Sequence, residues 1–383
     1  MRLPRLIGLS FALVACRGVS VRPEEADAST LETVQLSAEE QREVASLADR
    51  AVEAIVRRHY SDAETQARVA LDLDPRCARA RSVLGMVTFQ RAAIVEPPDL
   101  FGVNEGERQI LLALQLAPDD AFVGWIHAVF LDETGHTSAA ADAAEAALAR
   151  TEAAPPNERA PLLGVAGKYR YELGEERRAL PLLQQYVTLR PDDAAACFRI
   201  GNCLLRIASA PIGPKPGSLD VAQVQCENAA RAFARCLALA PGDEDAALAI
   251  VAATVRAADL AEERGLHDVA AQRLDDAEKQ CRDIANRFTE SAEPLFRIGI
   301  IAEKRAQFDR AGEAWSQALL RDPQHLGSLM NLAALGERAT IVGAPAAREL
   351  LVRALRVDDE RGGLTADERR RIEKHLASSN DAK

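Results

Sequence analysis

The sequence predicts an all-α protein: a solenoid of about eight stacked helical hairpins, closed by a carboxy-terminal capping helix. Three observations predict it. The composition is 48% hydrophobic but only 4% aromatic, with alanine supplying much of the apolar share, and alanine favours helices while adding little volume to a core. The stretches ALDLDP, ALQLAP, YVTLRP, CLALAP and ALLRDP bring Pro75, Pro118, Pro191, Pro241 and Pro323 into one frame. Small and large residues then recur in register with those prolines.

Five residues before the prolines stand Ala70, Ala113, Tyr186, Cys236 and Ala318; eight before stand Ala67, Ile110, Leu183, Phe233 and Trp315; twelve before stand Ala63, Gly106, Ala179, Ala229 and Ala311. Nine residues after four of them come Leu84-Gly85, Ile200-Gly201, Ile250-Val251 and Leu332-Ala333, and Ile298-Gly299 holds the same place before Pro323. A small residue there lets the neighbouring helix approach closely, and a closing proline stops the second helix of each unit. The hairpins fall at 37–75, 78–118, 121–153, 156–191, 194–241, 244–290, 292–323 and 326–359. Thr365 then opens an amphipathic run over 364–378 as a terminal cap, and the repeat array as a whole covers 37–379.

Departures from the period place loops. The steps of 43 residues from Pro75 to Pro118 and 50 from Pro191 to Pro241 put extra chain at EPPDLFGVNEG and SAPIGPKPGSLD. Both stretches are rich in glycine and proline and should project as loops between the two helices of a hairpin. The sixth unit, without proline and with little glycine, predicts two long helices.

This register resembles the tetratricopeptide repeat (TPR), with Ile298, Gly299, Phe308, Ala311, Trp315, Ala318 and Pro323 forming the best single copy. The resemblance implies a right-handed superhelix that binds other proteins along its inner face. Other copies are degenerate: His127-Ala128 stands where an aliphatic and a glycine are expected, and the third unit closes on TEAAPP without a properly placed proline.

At the amino terminus Arg2 and Arg5 precede an apolar run from Leu6 to Ala15. That run is about half the length needed to span a bilayer, so it reads as the charged and apolar regions of a signal peptide over 1–15. Leu13-Val14-Ala15-Cys16 resembles the lipobox of bacterial lipoproteins. The resemblance implies acylation of Cys16, export, and anchoring in the cell envelope through lipid rather than a helix. Arg17, in place of the aspartate that retains such proteins in the inner membrane, points to the outer membrane and its periplasmic face. Residues 16–36 hold several acids and no sustained apolar period, which predicts a flexible, solvated tether.

Net charge is −11, with no basic block, so a phosphate backbone is repelled and nucleic acid is not expected as a partner. The six histidines at 59, 127, 136, 267, 325 and 375 form no HExxH or close pair, and phosphate loops, GxGxxG and GxSxG are absent. No metal, cofactor or small-molecule substrate is expected, and the chain reads as non-catalytic. Beyond Cys16, the cysteines at 77, 197, 203, 226, 236 and 281 read as small buried thiols, with Cys203 and Cys226 the pair best placed for a bridge across one hairpin. Cys197 and Cys203, six residues apart on one helix, lie about 9 Å from each other, too far to join.

The residue seven after each closing proline should face the inner surface. Counted so, Trp125, Phe198 and Met330 face it, with Phe296 equivalent in its own unit and Met86, Phe89, Phe122 and Tyr171 one turn away. These residues either pack between neighbouring helices or form an apolar groove for a partner's helix or extended segment. Lys168 and Asn202, at matching places in adjacent repeats, resemble fragments of the carboxylate clamp of chaperone-binding repeats. The expected function is a lipid-anchored, protein-binding scaffold or assembly factor of the envelope. The alternatives are an intracellular repeat adaptor without an anchor and, third, an envelope polysaccharide or peptidoglycan enzyme with a deep polar pocket.

Overall fold

The computed structural model describes residues 26–211, 217–339 and 344–378. Among these residues the chain is helical without strands. Its helices are α1 Ala38–Val56, α2 Tyr60–Leu73, α3 Ala78–Ala93, α4 Leu100–Leu116, α5 Ala121–Glu133, α6 Thr137–Arg150, α7 Pro156–Glu172, α8 Glu176–Leu189 and α9 Ala194–Ser209. They continue with α10 Ser218–Leu239, α11 Glu244–Glu263, α12 His267–Arg287, α13 Glu293–Lys304, α14 Phe308–Arg321, α15 Leu326–Ala339, α16 Ala344–Arg361 and α17 Ala366–Ser378. The chain divides into two compact units, residues 1–203 and 204–383. The signal segment 1–15 and Cys16 lie outside the described residues.

Local chemistry sets the helix ends. Ser37 and Glu40 form a reciprocal capping box at α1, and Thr365 and Glu368 repeat it at α17. Asp120 accepts from the amides of Phe122 and Val123 to start α5, and Asp243 accepts from Ala246 to start α11. Five hairpin turns share one geometry. After α1, α5, α7, α11 and α13 a left-handed residue (Arg58, Gly135, Gly174, Gly265, Ala306) reverses the chain. The next amide then reaches back five residues: His59 to Ala54, His136 to Leu131, Glu175 to Arg170, Leu266 to Ala261 and Gln307 to Ala302, at 2.8–2.9 Å.

In the first unit α1 packs on α2, α3 on α4, α5 on α6 and α7 on α8. Two backbones approach closely at Gly85 and Gly106. A methyl group on Gly85 would meet the carbonyl oxygen of Gly106 at 2.7 Å, and one on Gly106 would meet that of Gly85 at 2.7 Å. The glycine in place of alanine at 106 is therefore a requirement of packing. It also lies inside a helix: α4 begins at Leu100, capped by Asp99, so the predicted loop shortens to residues 94–99. Ile94, Val95, Leu100 and Phe101 around it are exposed.

The expected tether is also partly structured. Ala26 and Ala28 are buried against Leu112, the side-chain carbonyl of Gln115 accepts from the Ala28 amide at 2.9 Å, and its amide donates to the Ala26 carbonyl at 2.5 Å. Arg76 donates to the Ala28 carbonyl at 3.0 Å. Two side chains that bind main-chain groups hold this strap, so the segment needs no apolar period to dock.

Between α6 and α7 the buried guanidinium of Arg170 pairs with Glu145 in two bonds of 2.8 and 2.9 Å, with Asp142 at 2.5 Å and with Glu175 at 3.1 Å. The second unit inverts that arrangement. There the buried Glu278 on α12 is held by Arg305 and Arg310 at 2.6 Å each, and by Arg282. In this unit α10 packs on α11, α11 on α12, α13 on α14 and α15 on α16. Helices α11 and α12 run 20 and 21 residues. Trp315 is buried, with its indole donating to the Phe296 carbonyl at 3.2 Å. Ile372 of α17 is buried with Ala333 and Leu351, which covers the end of the last pair.

Candidate functional site

The first unit holds a groove of about 630 Å³. Helix α1 contributes Val52 and Val56, α3 contributes Arg79, and α5 contributes Phe122 and Trp125. Helix α7 supplies Glu158, Pro161, Gly164, Val165 and Lys168; Leu183, Tyr186, Arg190, Asp193, Ala196 and Arg199 follow from α8 and the start of α9.

Phe122 and Trp125 stand one turn apart on α5 because Asp120 fixes the helix start, and their rings meet at 5.6 Å and 46°. Both are half-buried. At the far wall Tyr186 occupies the register position that holds alanine in three other units, and Gly164 across from it supplies the room. A methyl group on Gly164 would meet the Tyr186 ring at 3.0 Å. The Tyr186 hydroxyl donates to Asp193 at 2.9 Å, and burial followed by this bond pushes the phenol up to about 12.

The charged lining divides into engaged and unengaged groups. Arg79 pairs with Asp120 at 2.7 Å and with Asp49 and Glu158 at 3.5 Å each. Lys168 pairs with Asp132 at 3.1 Å and Glu172 at 3.7 Å, and burial holds the Glu172 carboxyl above the usual carboxylate range despite the nearby ammonium. Asp193 accepts from the Ala196 amide and from Tyr186. The guanidinium groups of Arg190 and Arg199 make no hydrogen bond or ion pair to any described residue.

Of the predicted inner-face residues, Phe122, Trp125 and Lys168 line this groove. Tyr171 and Asn202 are brought together, the Asn202 amide donating to the Tyr171 hydroxyl at 3.1 Å. Phe198 is half-buried on α9, outside the lining. Met86 and Phe89 are corrected: both are buried in the core, Phe89 edge-on to Phe130 at 4.9 Å, because α3 is covered on the side that the register takes as inner. Phe296 and Met330 belong to the second unit. There Phe296 packs against His325 at 4.9 Å, and Met330 lies against buried Leu329 and Ala333. Lys168 and Asn202 are each engaged within the chain, so the proposed clamp pair is not held open.

Sequence reasoning missed the contribution of the second helices and of the turn after α8. The signal was Tyr186 itself, a large residue in a small position. Cys197, Cys203, Cys226, Cys236 and Cys281 are buried and Cys77 half-buried, all as thiols. Among the described residues no helix is long and apolar enough to cross a membrane.

No protein-family model and no curated protein sequence matches the chain. Solved structures do resemble it. PilF of Pseudomonas aeruginosa is 14% identical over 63% of this chain and 93% of its own, with a TM-score of 0.41. YrrB, a TPR protein with an unusual peptide-binding site, is 15% identical over 57% of this chain and 95% of its own, at 0.40. The human IFIT1 dimer with m7Gppp-AAAA is 19% identical over 78% of this chain and 68% of its own, at 0.34. These likenesses extend to the fold alone, and the chain is an all-α helical-repeat protein similar to TPR proteins.

Proposed function

We propose that this chain is a non-catalytic scaffold whose first repeat unit seats a segment of a partner protein, and that the acylated Cys16 holds it at the cell envelope, at the outer membrane facing the periplasm. One observation supports the first half above all others. Phe122 and Trp125 leave aromatic surface on a groove of about 630 Å³ whose polar groups are mostly tied to one another, which suits an apolar anchor and leaves few groups for chemistry. The lipobox-like Leu13-Val14-Ala15-Cys16 supports the second half.

The anchor is tested by growing cells with radiolabelled palmitate. Label in the intact protein that disappears in Cys16→Ala, together with release of the variant from membranes, is the expected result. An unlabelled wild-type chain would replace this reading with an intracellular adaptor.

A further inference from the structure

The groove is not electrically neutral, although the chain carries −11 overall. Its lining holds four cations, Arg79, Lys168, Arg190 and Arg199, against two carboxylates, Glu158 and Asp193. Position matters more than the count. Arg79 and Lys168 are matched by the carboxylates paired with them. Arg190 follows α8 and Arg199 lies about one and a half turns into α9; neither is ion-paired to a described residue, with Asp193 in the same lining and Glu172 acting on Arg199, while the aromatic shelf of Phe122 and Trp125 comes from α5.

We infer that the groove takes an acidic, apolar-anchored peptide segment in one orientation, its hydrophobic side chains on Phe122 and Trp125 and its carboxylates on Arg190 and Arg199. This deepens the proposed function and rests on it. Arginine suits the task because its fork meets a carboxylate with two parallel hydrogen bonds. Neither guanidinium gives up an internal partner on binding, so the charge term favours association without breaking a pair. Carboxylate recognition thereby moves away from Lys168 and Asn202, whose side chains are already engaged.

The test uses fluorescence anisotropy on the full chain with three labelled octapeptides of leucine alternating with glutamate, glutamine or lysine, and a single-stranded oligoadenylate of the same length. The glutamate peptide is expected to bind about tenfold more tightly than the glutamine one, with the preference shrinking as salt rises. Arg190→Gln with Arg199→Gln should erase that preference, and the corresponding Lys pair should keep most of it. Trp125→Ala should weaken both peptides alike. Equal binding of glutamate and glutamine peptides, or a preference that survives the double Gln variant with helicity intact, overturns the charge assignment but leaves the groove reading standing. Tighter binding of the oligoadenylate overturns the partner class. If no peptide binds, both readings fall.

Discussion

Gly85 shows how one residue controls the approach of two helices. A methyl group there would meet the Gly106 carbonyl oxygen at 2.7 Å and Ile110 Cγ1 at 2.8 Å, so α3 and α4 would have to separate. Gly85→Ala should destabilise the first unit by about 1–3 kcal/mol in denaturant unfolding, despite alanine's better helix propensity. Glu145 is a second case. Its two bonds from Arg170, aided by Arg178, hold its carboxyl below the usual carboxylate range against the opposing effect of burial. A carboxyl depressed in the folded state stabilises fully above its unfolded pKa, near 4.3, and loses that contribution as pH falls through the lower folded value. Glu145→Gln should therefore cost about 1–2 kcal/mol at neutral pH, and the gap from wild type should close below pH 4 in an acid-unfolding series.

At the scale of elements, the five shared turns make a comparison within one chain. Three use glycine at the left-handed residue; Arg58 and Ala306 adopt it at φ 62° and 56° with a side chain attached. Ala306→Gly should stabilise the second unit by about 0.5–1 kcal/mol, the relief of left-handed strain exceeding the added freedom of the unfolded chain. An unchanged denaturation midpoint would show that the turn is already relaxed. The helical-repeat fold was legible at this scale because closing prolines and small residues recur at fixed spacing. The start of α4 was not, since Gly102 and Gly106 read as loop residues when in fact they serve close packing inside a helix. The strap at 26–31 was also hidden, because main-chain hydrogen bonds to Gln115 and Arg76 leave no pattern in the strap's own side chains.

For the whole molecule, the register does not say how deeply each residue it selects is covered. Trp125 and Phe122 reach the groove, whereas Met86 and Phe89, placed by the same counting, are core. Lys168 is in the groove lining, yet its charge is spent on Asp132, and that fact depends on a contact 36 residues away in sequence. The central claim, that the first unit's groove is a peptide-binding site, is tested most directly by intrinsic fluorescence. The chain has two tryptophans, Trp125 half-buried in the groove and Trp315 buried in the second unit. Titration with the leucine–glutamate peptide should shift emission to the blue as Trp125 loses water, and Trp125→Phe should abolish the shift. A shift that persists in Trp125→Phe, or bound peptide without any shift, would contradict the assignment of the site.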